Sequence, residues 1–205
     1  SRIGYGHDCT SIAVGANSLD ANVADHNVAI GFDALTASTT GTTNTAVGNY
    51  ALTASNSNGC NAFGYQTLKT NTTGSVNDAF GYSALEMNTT GSSNAAFGHK
   101  ALEENTTGSY NTAVGALALD DNTTADSNTA VGYSALTANT TGTRNTAVGT
   151  LALDAASTAN DNSAFGYNAL GANTSGVDNN AFGANTLDAN TLSLIHISEP
   201  TRPSQ

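Results

Sequence analysis

NTAVGYSALTANTTGTR occupies residues 128–144, and Asn145-Thr146-Ala147-Val148-Gly149 then begins the same text again. Aligned on this start, the chain holds eleven copies, beginning at Ser11, Asn27, Asn44, Cys60, Asn77, Asn94, Asn111, Asn128, Asn145, Asn162 and Asn179. Eight of the ten intervals are 17 residues and two are 16. Self-similarity at a fixed period is the mark of a repeat architecture, in which stacked units share one continuous core. A partial copy, Ile3-Gly4-Tyr5, precedes the first.

Within the unit, position 3 is Ala and position 5 is Gly in all eleven copies, and position 4 is Val, Ile or Phe. Position 9 is Leu throughout: Leu19, Leu35, Leu52, Leu68, Leu85, Leu102, Leu119, Leu136, Leu153, Leu170 and Leu187. Positions 12 to 15 read mostly Asn-Thr-Thr-Gly, which is turn chemistry. Apolar residues at 3, 4, 8 and 9 do not follow the i, i+3, i+4, i+7 spacing of a helix. Positions 2 to 4 and 7 to 9 are predicted strands, with a bend at Gly 5. The reading is an all-β parallel β-solenoid, a β-roll or β-helix with one turn per 17-residue unit. Turns stack at about 4.8 Å. The Leu column and the position-4 column are expected to point inward as its core ladders. The two short units, from Ser11 and Asn44, predict a one-residue loss in a loop that leaves the ladders uninterrupted. Pentapeptide-repeat helices share the five-residue step from position 4 to 9, but the other 12 residues break that frame.

The composition narrows the function classes. Charged residues are 10% of the chain, there is no Trp and one Met, and the net charge is −11 with five Lys and Arg. Such a balance disfavours nucleic acid and anionic membrane surfaces, both of which are held by basic side chains. No apolar run approaches the roughly 20 residues of a spanning helix. Two large apolar side chains per turn make a thin core, so self-association, as a trimer or a filament, is expected to supplement it.

Ser11-Ile12-Ala13-Val14-Gly15-Ala16-Asn17-Ser18 resembles the head repeats of trimeric autotransporter adhesins. The longer text Asn128-Thr129-Ala130-Val131-Gly132-Tyr133-x-Ala135-Leu136 resembles repeats of phage tail-fibre-like proteins. The resemblance covers the Ala-Val-Gly heart of every copy. It departs in the period, which is longer here than in adhesin heads, and in the invariant Leu. It implies an extracellular, cell-surface or virion location, a trimer, and an elongated structural or ligand-binding role, with a cell-surface or glycan ligand.

His7, His26, His99 and His196 fall in different columns, and no Ser/His/Asp or Cys/His set shares a spacing that a solenoid brings together, so no catalysis is expected. Position 10 mixes Asp, Glu, Thr, Lys and Gly, unlike the fixed Asp columns of calcium-binding rolls, so neither metal nor cofactor is expected. Cys9 and Cys60 lie three turns apart, roughly 14 Å at the turn spacing and beyond disulfide reach. Asn71, Asn88, Asn105, Asn122, Asn139 and Asn173 are candidate N-glycosylation acceptors in Asn-x-Ser/Thr sequons, all at position 12, where an exposed turn would set glycans in a stripe. Asn at 1 and Thr at 13 and 14 are expected to stack as ladders. A flat Thr array would bind ice, but adjacent Thr point to opposite faces. Tyr65, Tyr82, Tyr133 and Tyr167, with Phe32 and His99, share position 6 and mark a contact patch or edge packing.

Residues 192–205, LSLIHISEPTRPSQ, break every column and hold both prolines. They resemble the conceptual translation of a sequencing adaptor, with more repeats expected in the native chain; the other reading is a capping segment. The domain reading is therefore a solenoid over 1–191 and a non-native or capping tail over 192–205. The functional reading is a structural extracellular fibre or fibril subunit. A receptor-binding adhesin or phage tail-fibre segment is the alternative, and an ice-binding solenoid the third.

Overall fold

Residues 3–5, 11–21 and 24–192 are described by a computed structural model, residues 3–5 by their backbone alone. Cys9, His7, His196 and all of the tail but Leu192 lie outside the described residues. Each repeat supplies one three-residue strand at positions 2 to 4, from β2 (Ile12–Val14) to β12 (Asn180–Phe182). Consecutive strands are parallel neighbours in sequence order, with Ala opposite Ala from Ala13↔Ala29 to Ala164↔Ala181. The fold is an all-β parallel solenoid, and no helix occurs among the described residues. The partial copy forms β1 (Ile3–Tyr5), which does not add a turn in the same sense. It lies antiparallel along β2, Gly4 opposite Ala13, and so covers the first sheet edge.

Only one of the two expected strands forms. Positions 7 to 9 are a turn segment in which positions 7 and 9 take positive φ, as at Ser83 (53°) and Leu85 (52°). All eleven Leu have φ between 51° and 55°. A branched side chain in this region costs roughly 1–2 kcal/mol per residue. The backbone gains full axial pairing in return: the Leu85 N–H donates to the Ala101 carbonyl (3.0 Å), and the Ser83 N–H to the Tyr65 carbonyl (3.0 Å). The Leu side chain fills the middle of the ring, and Leu35 to Leu170 are fully buried.

Position 4 does not join the core. In a strand, successive side chains alternate faces. Ala at 3 points inward and is buried in every turn, so positions 2 and 4 point outward. Ile30, Phe97, Val114 and Phe182 are exposed, and the rest of the column is half-buried apolar surface. Phe63, Phe80 and Phe97 stack ring on ring along it, with centroids 4.7 and 4.8 Å apart.

The short unit from Asn44 loses its residue at positions 13–14, whereas residues 22 and 23 of the unit from Ser11 lie outside the described residues. In a full pair of turns, the Thr72 and Thr73 N–H groups both donate to the Thr89 carbonyl. Above the short unit from Asn44, the Thr39 and Thr40 N–H groups donate instead to the Asn56 side-chain Oδ1, at 2.8 and 3.3 Å. A carboxamide thus replaces a missing peptide. Leu19 and Leu52 keep their axial bonds to the Ala34 and Thr67 carbonyls.

Gly at 5 sits at φ between +122° and +146°, and a Cβ there would overlap the backbone of the glycine in the next turn wherever one follows. The prediction is a contrast. Gly98→Ala lowers unfolding free energy in urea by about 3 kcal/mol or more. Gly59→Ala, also at positive φ (66°) but with its nearest neighbours 4.0 Å from a Cβ, costs at most about 1 kcal/mol. Equal losses would contradict the glycine stack.

Candidate functional site

The interior has one large apolar side chain per turn, so its polar content decides its chemistry. Two carboxamide columns run through it. At position 1, the Asn94 N–H donates to Asn77 Oδ1 (3.0 Å), while Asn77 Nδ2 donates to the Gly91 carbonyl (2.8 Å). At position 12, Asn88 Nδ2 donates to Asn71 Oδ1 (2.6 Å) and to the same Gly91 carbonyl (2.9 Å). The position-15 carbonyl therefore receives one donor from each column, from opposite sides of the ring closure. The pattern repeats at Gly108 and Ala125.

These contacts place the sequon asparagines inside. Asn71, Asn88, Asn105, Asn122, Asn139 and Asn173 are all fully buried, contrary to the exposed turn that Asn-Thr-Thr-Gly suggested. The reason is that the N–H of position 12 bonds back to the Leu carbonyl, as Asn105 to Leu102 (3.2 Å), and turns the side chain inward. A glycan on Nδ2 would replace one of its two N–H donors, and with it a hydrogen bond such as those of Asn88 to Asn71 Oδ1 and the Gly91 carbonyl, and has no room in the ring. The outward residues of the turn are the threonines: Thr72, Thr89 and Thr106 donate their hydroxyls to the position-13 carbonyl of the next turn at 2.8 Å.

The columns also show what replaces Asn. Cys60 keeps the N–H bond to Asn44 Oδ1 (2.9 Å) and sets its thiol 3.3 Å from the Gly74 carbonyl, where Nδ2 would donate. It is a free, buried cysteine, and burial pushes its thiol pKa up, the opposite of an activated nucleophile. At Ala156 the position-12 ladder is interrupted, and Asn139 Oδ1 is left buried with no partner.

Outside, the two described histidines do not come together. His26 belongs to the first turn and His99 to the sixth, where it stacks on Tyr82 at 5.4 Å. Among the described residues, no group of three or more His, Cys, Asp or Glu is placed to hold a metal ion. No described helix is long and apolar enough to cross a membrane. Position 10 forms a mixed edge: Lys69 pairs with Glu86 at 3.5 Å, and Glu103 pairs with Lys100 of position 7 at 2.8 Å. Asp120 follows with one buried, unpartnered oxygen. Burial, then the negative charges of Glu103 and Asp121, push its pKa up to about 6. At position 17, Arg144 grips Asp161 with two bonds of 2.6 and 2.7 Å, which holds that carboxyl below its usual range.

Sequence reasoning missed the outward apolar column of position 4. The signal was available: an invariant Ala at 3 is a buried position, and strand alternation then turns 2 and 4 outward. Position 6 carries the exposed aromatics Phe32, Tyr65, Tyr82, Tyr133 and Tyr167, and position 17 carries Tyr110. Tyr65 and Tyr82 stack at 5.3 Å, and Tyr50 of position 7 meets Phe32 and Tyr65 edge-on at 5.4 and 5.9 Å. No family model matches the chain, and neither a curated protein nor a solved structure does.

Two measurements follow. Ala156→Asn gives Asn139 Oδ1 its donor and raises stability by about 1–2 kcal/mol; a lower melting temperature would contradict the ladder. Asp120 has a folded pKa above its ordinary 3.8, so its ionised form costs stability above about pH 6 and the cost vanishes below about pH 4. Asp120→Asn is therefore more stable than the parent at pH 7.5, by about 1 kcal/mol once solvent screening of a half-exposed group is allowed for. The difference closes in urea titrations at pH 3.5, and a gap constant with pH would contradict the assignment.

Proposed function

We propose that the chain is a structural rod, a subunit of an extracellular fibre or fibril built from stacked repeats. The observation that carries this is the contrast between columns. Inward positions 3 and 9 keep their residue in all eleven copies, and positions 1 and 12 keep Asn in nine and eight of them. Outward position 17 runs through Val76, Ser93, Tyr110, Arg144 and Asp161. What is repeated is the coil, and each copy adds length. Catalysis has no part in this reading, because a reactive site needs convergent groups and the repeats multiply identical ones. The same contrast argues against ice binding: Ile12, Thr45, Asn61 and Asp78 share an outward column, which is no regular lattice. Self-association through the outward strand face belongs to the proposal, as does the extracellular location, which rests on the resemblance of the repeats.

The alternative, a receptor-binding adhesin or phage tail-fibre segment, is favoured by one observation: the exposed aromatic flank from Phe32 through Tyr65 and Tyr82 to His99. Electron micrographs of the purified protein separate the two. Rods that lengthen by about 4.8 Å for each inserted 17-residue unit and bundle into fibrils of uniform width support the structural reading. Discrete particles that bind host-cell glycans through Tyr65 and Tyr82, with no fibrils at any concentration, would replace it by the adhesin.

A further inference from the structure

The outward column at position 4 has an internal order. Its eleven residues run as three aliphatic (Val14 to Val47), three Phe (Phe63 to Phe97), three Val (Val114 to Val148) and two Phe (Phe165 and Phe182). Bulky and slim blocks alternate every three turns. The column is apolar and lies on a sheet whose strands pair in register from β2 to β12. We propose that this face is a dimer interface on which two copies of the chain lie with their solenoid axes antiparallel, the two-fold axis passing between the sixth and seventh turns. The proposal rests on reading that face as the self-association surface.

Symmetry limits how two such faces meet. A two-fold along the solenoid axis keeps the rods parallel and lays column 4 of one copy on column 2 of the other. Only a two-fold along the strand direction opposes column 4 to column 4, and it reverses the axis. With that axis between turns six and seven, Phe97 meets Val114, Phe80 meets Val131 and Phe63 meets Val148. The two outer pairs again set one Phe on one aliphatic residue. A half-turn shift would place Phe97 on Phe97 and Val47 on Val148, a clash beside a gap. Size matching of this kind is what packs two sheets about 10 Å apart.

Charge and area agree with it. Asp78 is the one charged residue in columns 2 and 4, and this arrangement sets it opposite Thr129 rather than its own copy. Ten overlapping turns give a strip about 48 Å long, and with a face roughly 10 Å wide the two copies bury on the order of 1,000 Å². That is at the lower bound for a specific interface, in keeping with a reversible dimer. The pairing is isologous and therefore closed, so fibrils would grow from rod ends or other faces.

Sedimentation equilibrium and spin-label distances test it on the full chain. The parent sediments at twice the chain mass. Phe80→Glu, which changes an outward side chain, weakens dimerisation by about 100-fold or more with an unchanged circular dichroism spectrum. Adding Val131→Lys to the same chain restores the dimer, because the introduced ammonium faces the introduced carboxylate across the two-fold. Single labels at Ala37→Cys and Glu104→Cys, in a Cys9→Ser, Cys60→Asn background, then report orientation. The antiparallel dimer separates the Ala37 labels along the axis by nine turns, about 43 Å, and the Glu104 labels by one turn, about 5 Å. Equal separations at the two sites would mean parallel rods and overturn the proposal. A monomeric parent would overturn it too. Solution scattering of that monomer decides the rest: a rod-shaped profile leaves the structural reading standing, and a compact or random-coil profile removes it.

Discussion

In five turns, at Gly91, Gly108, Ala125, Gly142 and Gly176, the carbonyl at position 15 receives two carboxamide donors, and the rest of the coil is arranged around that ring closure. A ring of 17 residues is too small for an apolar centre that could leave its turning peptides to water. Buried backbone groups without partners are costly, so side chains must supply the missing bonds. Asn does this twice over, because it donates across the ring with Nδ2 and accepts along the axis with Oδ1. Asn77 and Asn88 both reach Gly91 in this way. Every such bond joins one turn to the next or closes a turn, so neighbouring rings must have the same shape. The stacked glycines at position 5 and the left-handed Leu at position 9 are consequences of that identity.

An interior fixed so completely leaves the outside free. Positions 2, 4, 6, 10 and 17 face solvent or a partner, and they carry the acidic edge, the aromatic flank and the apolar strand face. The buried thiol of Cys60 and the buried sequon amides, by contrast, are spent on holding the rings together. Residues that look chemically interesting in the text are the structural ones here. The surface that matters for assembly looks in the text like a core.

Much of the fold was legible because invariance along the chain is visible in one sequence. The period, the parallel strand at positions 2 to 4, the bend at Gly and the loop position of the short unit from Asn44 all follow from columns. What was not legible is the direction in which a side chain points when the backbone leaves standard regions. Ala84-Leu85 reads as the end of a second strand, yet Leu85 has φ of 52°. Asn88-Thr89-Thr90-Gly91 reads as an exposed turn, yet Asn88 is buried because its turn folds back on Leu85. Phe80 reads as core, and only the pairing of Ala79 with the interior turns it outward. Propensity describes local backbone preference; ring closure overrode it at these positions.

Hydrogen exchange of individual side-chain amides by NMR tests the carboxamide ladders most directly. The Nδ2 protons of Asn94, Asn105 and Asn122, which bond inside the rings, should exchange about 1,000-fold more slowly than those of the exposed Asn49 and Asn185. Exchange of all five at one common, unprotected rate would contradict the account, because the rings would then be closed by something other than asparagine.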